Sequence, residues 1–231
     1  MSEPTTLTVF TIGHSNASET KFLELLKDNG IELVIDVRTV PYSRFAPQFN
    51  REKLKALLGG SRIGYVFMGD TMGGRPSKAE LYKNWKPDVE PDGHDGEPRP
   101  IGDPAVSRGP WLQAGSNSAE YFAAEESNAL MCSEGEARPA ERADFLKLVD
   151  YPKVACQPEF QASIEEVMDL AAKQQTALMC SEEDPHRCHR HHLIAKALIK
   201  RRVAVRHIRH SGVVADFVDQ MSLFSTSAEK P

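Results

Sequence analysis

"LTVFTIGHSNASETKFLELLKDNGIELVIDVR", residues 7–38, decides the fold. Residues 7–13 form an apolar run short enough for a buried strand. From Ser18 a helix is expected, capped by that serine, with Phe22, Leu25 and Leu26 on one face and Gly30 as its stop. "IELVIDVR" (31–38) is a second β-rich run. Strand, helix and strand at this spacing form a βα repeat, which favours parallel strands covered by helices on both faces.

The same rhythm continues outward. "REKLKALLGG" (51–60) reads as a helix, "IGYVFMGD" (63–70) as a strand, and "FQASIEEVMDLAAK" (160–173) as a helix. "TALMCS" (176–181) is a strand, "PHRCHRHHLIAKALIKR" (185–201) one continuous helix, and "VAVRHI" (203–208) a last strand. The expectation is an α/β fold with a mainly parallel sheet, helices on both faces, and a single domain over residues 1–215. Residues 86–118 interrupt it: 11 of these 33 residues are Pro or Gly and no apolar period survives, so a mobile insertion loop is expected there. Residues 119–150 read as a partial duplicate of 167–198, because "AAEESNALMCSE" (123–134) matches "AAKQQTALMCSE" (171–182). The first copy keeps Cys132 and Glu134 but has Ala140 and Glu141 where the second has Cys188 and His189, so only the second can be a full site. Residues 216–231 form a carboxyl-terminal tail.

At 231 residues and 40% hydrophobic content the chain can bury one good core. "MSEPTTLTVF" lacks the basic and apolar regions of a signal peptide, and no run reaches membrane-span length. A cytoplasmic protein with no membrane partner is expected, nucleoid association being one option. Four cysteines are too few for a disulfide framework in a chain this size. The net charge of −5 is uneven: residues 185–215 hold eight Lys or Arg, six of the eight histidines and no acid. Such asymmetry points to a surface that meets phosphate or nucleic acid, although a solvated helix face also carries it.

In parallel sheets ligands bind beyond the carboxyl ends of the strands. Three polar clusters are expected there: "GHSN" with His14, Ser15 and Asn16; "DVRTVPYSR" with Asp36, Arg38, Ser43 and Arg44; and "CSEEDPHRCHR" with Cys180, Glu182, Arg187, Cys188, His189 and Arg190. Asp184 suits an N-cap and Pro185 the first helical position, so the third cluster opens a helix whose amino end attracts anions. Arg38, Arg44, Arg187 and Arg190 could then grip phosphate, alongside His14, Ser15, Asn16 and Ser43.

Three chemistries fit these residues. The preferred one is acid–base work by Asp36, Glu182 and His189 around a bound phosphate or sugar, which requires no cofactor. A thiolate route would use Cys180 or Cys188 in a layout that resembles rhodaneses. Cys188 is the better thiol on this reading, because Glu182, Glu183 and Asp184 crowd Cys180 with negative charge. A zinc route would pair Cys188 with His192 or His191, one helical turn away, with Cys180, His14 or Glu182 completing the shell.

"TIGHSN" (11–16), "VIDVRTVPYSR" (34–44) followed by Phe49, "MGGRP" (72–76), and "LMCSEEDPHRCHR" (178–190) followed by "VRHI" together resemble a widespread, mostly prokaryotic family, domain of unknown function 488. The resemblance covers most of residues 7–210, and its CHR triplet is the most specific part. It implies a compact α/β domain and brings no settled reaction. Residues 86–150 depart from it and look like additions.

Two functions compete. One is an enzyme acting on DNA or a nucleotide; the other is a non-catalytic nucleic-acid-binding adaptor. Acids set among arginines and histidines at strand ends favour the enzyme. In the tail, Gln220, Met221, Ser222, Leu223 and Phe224 form "QMSLF", which resembles the QL[S/D]LF pentapeptide by which bacterial replication and repair proteins bind the DNA sliding clamp. Leu223 and Phe224 would be its apolar anchors and Gln220 its hydrogen-bonding amide. The expected role is DNA maintenance or repair, with that clamp as partner.

Overall fold

The structure, a computed structural model, describes residues 6–85 and 145–217. The insertion expected at 86–118, the first ALMCSE copy and the QMSLF tail lie outside the described residues.

The elements in chain order are β1 (Thr8–Gly13), α1 (Glu19–Asp28), β2 (Leu33–Asp36), α2 (Arg51–Gly60), β3 (Gly64–Phe67) and α3 (Gly69–Met72). After the undescribed segment come α4 (Phe145–Leu148), α5 (Tyr151–Ala155), α6 (Pro158–Ala171) and β4 (Thr176–Cys180). They are followed by a 3-10 turn (Pro185–Arg187), a π-helical stretch (Arg190–Ala195) running into α7 (Lys196–Lys200), then β5 (Ala204–Ile208) and β6 (Val214–Asp216). Ser18 caps α1 by accepting from the Lys21 N–H, and Gly30 takes φ +63° to turn the chain out of the helix.

The sheet runs β3-β2-β4-β1-β5-β6, parallel except for β6, which is antiparallel to β5. β6 is not visible in the periodicity of the chain, because three residues are too few to show alternation. It carries the folded domain past the expected boundary at 215, and Phe217 lies on His191, ring centroids 4.6 Å apart.

Strand alternation divides the core in two. Phe10, Ile12, Val34, Ala177 and Met179 meet Phe22, Leu25 and Leu26 of α1 and Leu54 and Leu58 of α2. Val9, Leu33, Ile35, Leu178 and Val205 meet α5, α6 and the 190–200 helix. From β1 to β3 the chain steps one way across the sheet with its helices on the first face. From β3 to β5 it steps back with its helices on the second, as right-handed crossovers require. β1 and β4 are neighbours whose chains leave in opposite directions, and the loop after β4 crosses the end of β1, where the Ser15 N–H donates to the Ser181 carbonyl at 2.8 Å.

Candidate functional site

At the carboxyl ends of these strands Gly13 pairs with Cys180 across β1 and β4, and Asp36 with Met179 across β2 and β4. Backbone bonds extend the sheet one step further: the His14 N–H donates to the Cys180 carbonyl at 2.9 Å, and the Val37 N–H to the Met179 carbonyl at 3.0 Å. The three polar clusters therefore share one edge. Alternation splits them between the two faces, His14 and Asp36 on the α1 side and Cys180 on the α6 side.

On the α1 side Asp36 is buried and both its oxygens are taken. Oδ1 accepts the backbone N–H of Arg38 at 3.1 Å and its Nε–H at 2.9 Å, while Oδ2 accepts from Arg38 Nη2 at 2.6 Å and Tyr65 Oη at 3.0 Å. Burial and then the Asp36 charge push the Tyr65 phenol above its ordinary value. Arg38 also donates to the Phe49 carbonyl at 2.9 Å and to His14 Nε2 at 3.2 Å. His14 donates through Nδ1 to the Ser15 carbonyl and stacks on Phe49, centroids 4.5 Å apart. Burial, then Arg38, lower its pKa to about 4, so the ring is neutral. This is a positioning network: Asp36 holds Arg38, and Arg38 holds His14.

On the α6 side the chain departs from one continuous helix. Asp184 accepts the His186 N–H and Pro185 starts a turn, as the residue types predict, but the turn ends at Cys188, which is extended at φ −136° and ψ 144°. The helix restarts after it. Cys188 is thereby turned inward to Cys180, and His189 follows it. His189 Nδ1 stands 3.7 Å from Cys180 Sγ and 3.7 Å from Cys188 Sγ, and Nε2 donates to the Val37 carbonyl at 3.1 Å. Gly74 leaves room for the ring, since a Cβ there would lie 2.7 Å from its Cγ and Nδ1. Hydrogen bonding from Cys188, then His189 and Arg190, hold the Cys180 thiol well below its ordinary value, while burial and the Cys180 charge raise Cys188. Glu183 is drawn off to Arg209 at 2.8 Å, Glu182 is exposed, and no helix starts at Cys188.

The chain matches the domain of unknown function DUF488 over residues 18–93 and 136–197, more than half its length. It belongs to the DUF488 family. No curated protein and no solved structure matches it. The DUF488 match includes Asp36, Arg38, Gly74, Cys180, Cys188 and His189 and begins after His14.

Other expected site residues fall elsewhere in this DUF488 domain. Arg190 is wholly buried against Gly13 and donates to the Glu182 and Glu183 carbonyls, so it braces the loop after β4 and has no surface on which to grip phosphate. Arg38 is likewise buried. Arg44 lies over Phe45 and is exposed, as are Arg187 and Asn16. Ser43 accepts the Ala46 N–H in a turn, and Ser15 bends the chain at φ 43°. His192 bonds the His186 carbonyl at 2.6 Å and does not join Cys188; among the described residues the group able to hold a metal is Cys180, Cys188 and His189.

The sequence reading missed Tyr151. Its hydroxyl donates to the Gly74 carbonyl at 3.2 Å, and burial, then the charges of Cys188 and Cys180, raise its pKa. Tyr151 is also among the residues lining a cleft between α5 and the 190–200 helix, together with Lys83, His192, Lys196, Lys200 and Arg201. Among the described residues that lining contains no carboxylate. Part of the basic segment is neutralised from afar, Arg201 by Glu165 at 2.7 Å and Arg206 by Asp216 at 3.0 Å. No described helix is long and apolar enough to cross a membrane.

Proposed function

We propose that the protein is a DNA-maintenance enzyme, a hydrolase or transferase that holds the phosphate of DNA or a nucleotide in the α5 cleft and reacts at Cys180, Cys188 and His189. The observation that carries this reading is the place of Tyr151, which is among the residues lining the cleft and whose hydroxyl donates to the carbonyl of Gly74, beside His189. Lysines 83, 196 and 200 supply cations to the cleft with no opposing acid among its described lining residues, and Leu146, Val149 and Leu193 supply apolar surface for a base or sugar. The acid–base trio of Asp36, Glu182 and His189 is not assembled: Asp36 is spent on Arg38 and Tyr65, and Glu182 is exposed. The QMSLF tail, three residues past Phe217, supports recruitment by the sliding clamp, which raises local concentration without sequence recognition.

Fluorescence anisotropy with single- and double-stranded oligonucleotides at rising salt tests the cleft. Lys196→Glu plus Lys200→Glu should weaken binding by about 10-fold or more and flatten the salt slope by about 2. Equal binding by the double variant, or no binding of DNA, RNA or nucleotide by the wild-type protein at low salt, rules the reading out.

A second reading is favoured by the two thiols that share His189, each sulfur 3.7 Å from its Nδ1: a rhodanese-like enzyme with Cys180 as nucleophile. Alkylation by iodoacetamide near neutral pH should then mark Cys180 before the exposed Cys156. Modification of Cys156 alone excludes it.

A further inference from the structure

We propose that Cys180, Cys188 and His189 together bind one zinc ion. This deepens the reading above by supplying its reacting centre. The three donor atoms lie within 4.8 Å of one another, and both sulfur-to-nitrogen separations are 3.7 Å. A tetrahedral zinc ion with bonds of about 2.3 Å to sulfur and about 2.05 Å to nitrogen places these donors about 3.6 Å apart. One ion therefore fits among the three side chains with movements of a few tenths of an ångström on the nitrogen edges.

The surroundings are those a ligating histidine needs. The Nε2–H of His189 is committed to the Val37 carbonyl at 3.1 Å, which fixes the tautomer and leaves the Nδ1 lone pair directed at the two sulfurs. Gly74 leaves the ring its place, and the donors stand on the end of β4 and the start of the 190–200 helix, both anchored in the core. Two thiolates balance the charge of Zn²⁺, so the complex is neutral in a buried setting. Two thiol protons leave for solvent on binding, which makes affinity rise with pH.

Among the described residues no fourth cysteine, histidine or carboxylate joins the group. Two Cys and one His with a position left for water or substrate is the ligand set of a catalytic zinc site, where a bound water is activated as a nucleophile. That is chemistry a hydrolase or transferase acting on a phosphate-bearing substrate can use.

The experiment uses the full-length protein, purified under reducing conditions, with metal content measured by mass spectrometry and Co²⁺ as spectroscopic probe. About one equivalent of zinc is expected, with Co²⁺ producing thiolate-to-metal charge-transfer bands, and Cys180→Ser, Cys188→Ser or His189→Gln lowering bound zinc below about 0.1 equivalent. Cys156→Ser and Cys132→Ser should keep the full equivalent, which controls for general thiol effects. The proposal is overturned if the wild-type protein takes up neither zinc nor cobalt, if cobalt binds without thiolate bands, or if Cys180→Ser keeps full stoichiometry. The cobalt bands of the wild-type protein decide even where a variant fails to fold. Zinc bound without DNA affinity overturns only the cleft reading, and DNA affinity without zinc overturns only this one.

Discussion

Asp36 and Arg38, two residues apart at the end of β2, form a buried ion pair with a closest approach of 2.6 Å. Every oxygen of the carboxylate is occupied, and the guanidinium passes the restraint on to Phe49 and His14. Removing one partner leaves the other charge buried and alone. Asp36→Ala should therefore cost about 3–5 kcal/mol in urea unfolding, far more than removal of an exposed ion pair. A loss under about 1 kcal/mol would show that water reaches Arg38 freely.

Gly13 sits where the β4 loop crosses β1: a Cβ there would lie 1.7 Å from the Glu182 carbonyl oxygen and 2.7 Å from Arg190. Gly13→Ala should cost about 3 kcal/mol by overpacking. Gly59, inside α2 with open space around it, is the contrast, and Gly59→Ala should stabilise by about 0.5–1 kcal/mol. Chemical denaturation of both variants checks the pair; equal effects would place the β4 loop away from Gly13.

His207 is buried on β5, with Nδ1 2.7 Å from the Thr11 hydroxyl and Nε2 3.3 Å from His191 Nδ1. Burial, then Arg190 and His191, lower its pKa from 6.5 to about 3. Between those values the unfolded chain binds a proton that the folded chain refuses. The stability is complete above pH 6.5 and is lost as pH falls toward 3, with a slope of up to about 1.4 kcal/mol per pH unit. Unfolding of wild type and His207→Gln at pH 7 and pH 5 measures it. The variant should lose about 2 kcal/mol less over that interval, and parallel losses would exclude His207 as a source.

For the tail, calorimetric titration with the sliding clamp should show binding that Leu223→Ala plus Phe224→Ala abolishes while folding and oligonucleotide affinity stay unchanged. Equal binding by both forms, or none by either, removes clamp recruitment from the proposed function.

Much of the fold is written in local periodicity. The apolar runs at 7–13, 31–38, 176–181 and 203–208, with Ser18, Gly30 and Asp184 as punctuation, predict the strands, the helices and the shared edge at which His14, Asp36 and Cys180 meet. That works because burial on a sheet and on a helix face imposes short periods that single residues reveal. What the side chains do at that edge is decided by tertiary structure. Asp36 is silenced as a base by Arg38 and Tyr65, the charges of Arg201, Arg206 and Arg209 are met by Glu165, Asp216 and Glu183, and a break at Cys188 replaces a helical Cys188–His192 pair with Cys188 and His189 facing Cys180. Hydrogen bonds and ion pairs between residues far apart in sequence leave no local period, so they emerge only when the chain is folded.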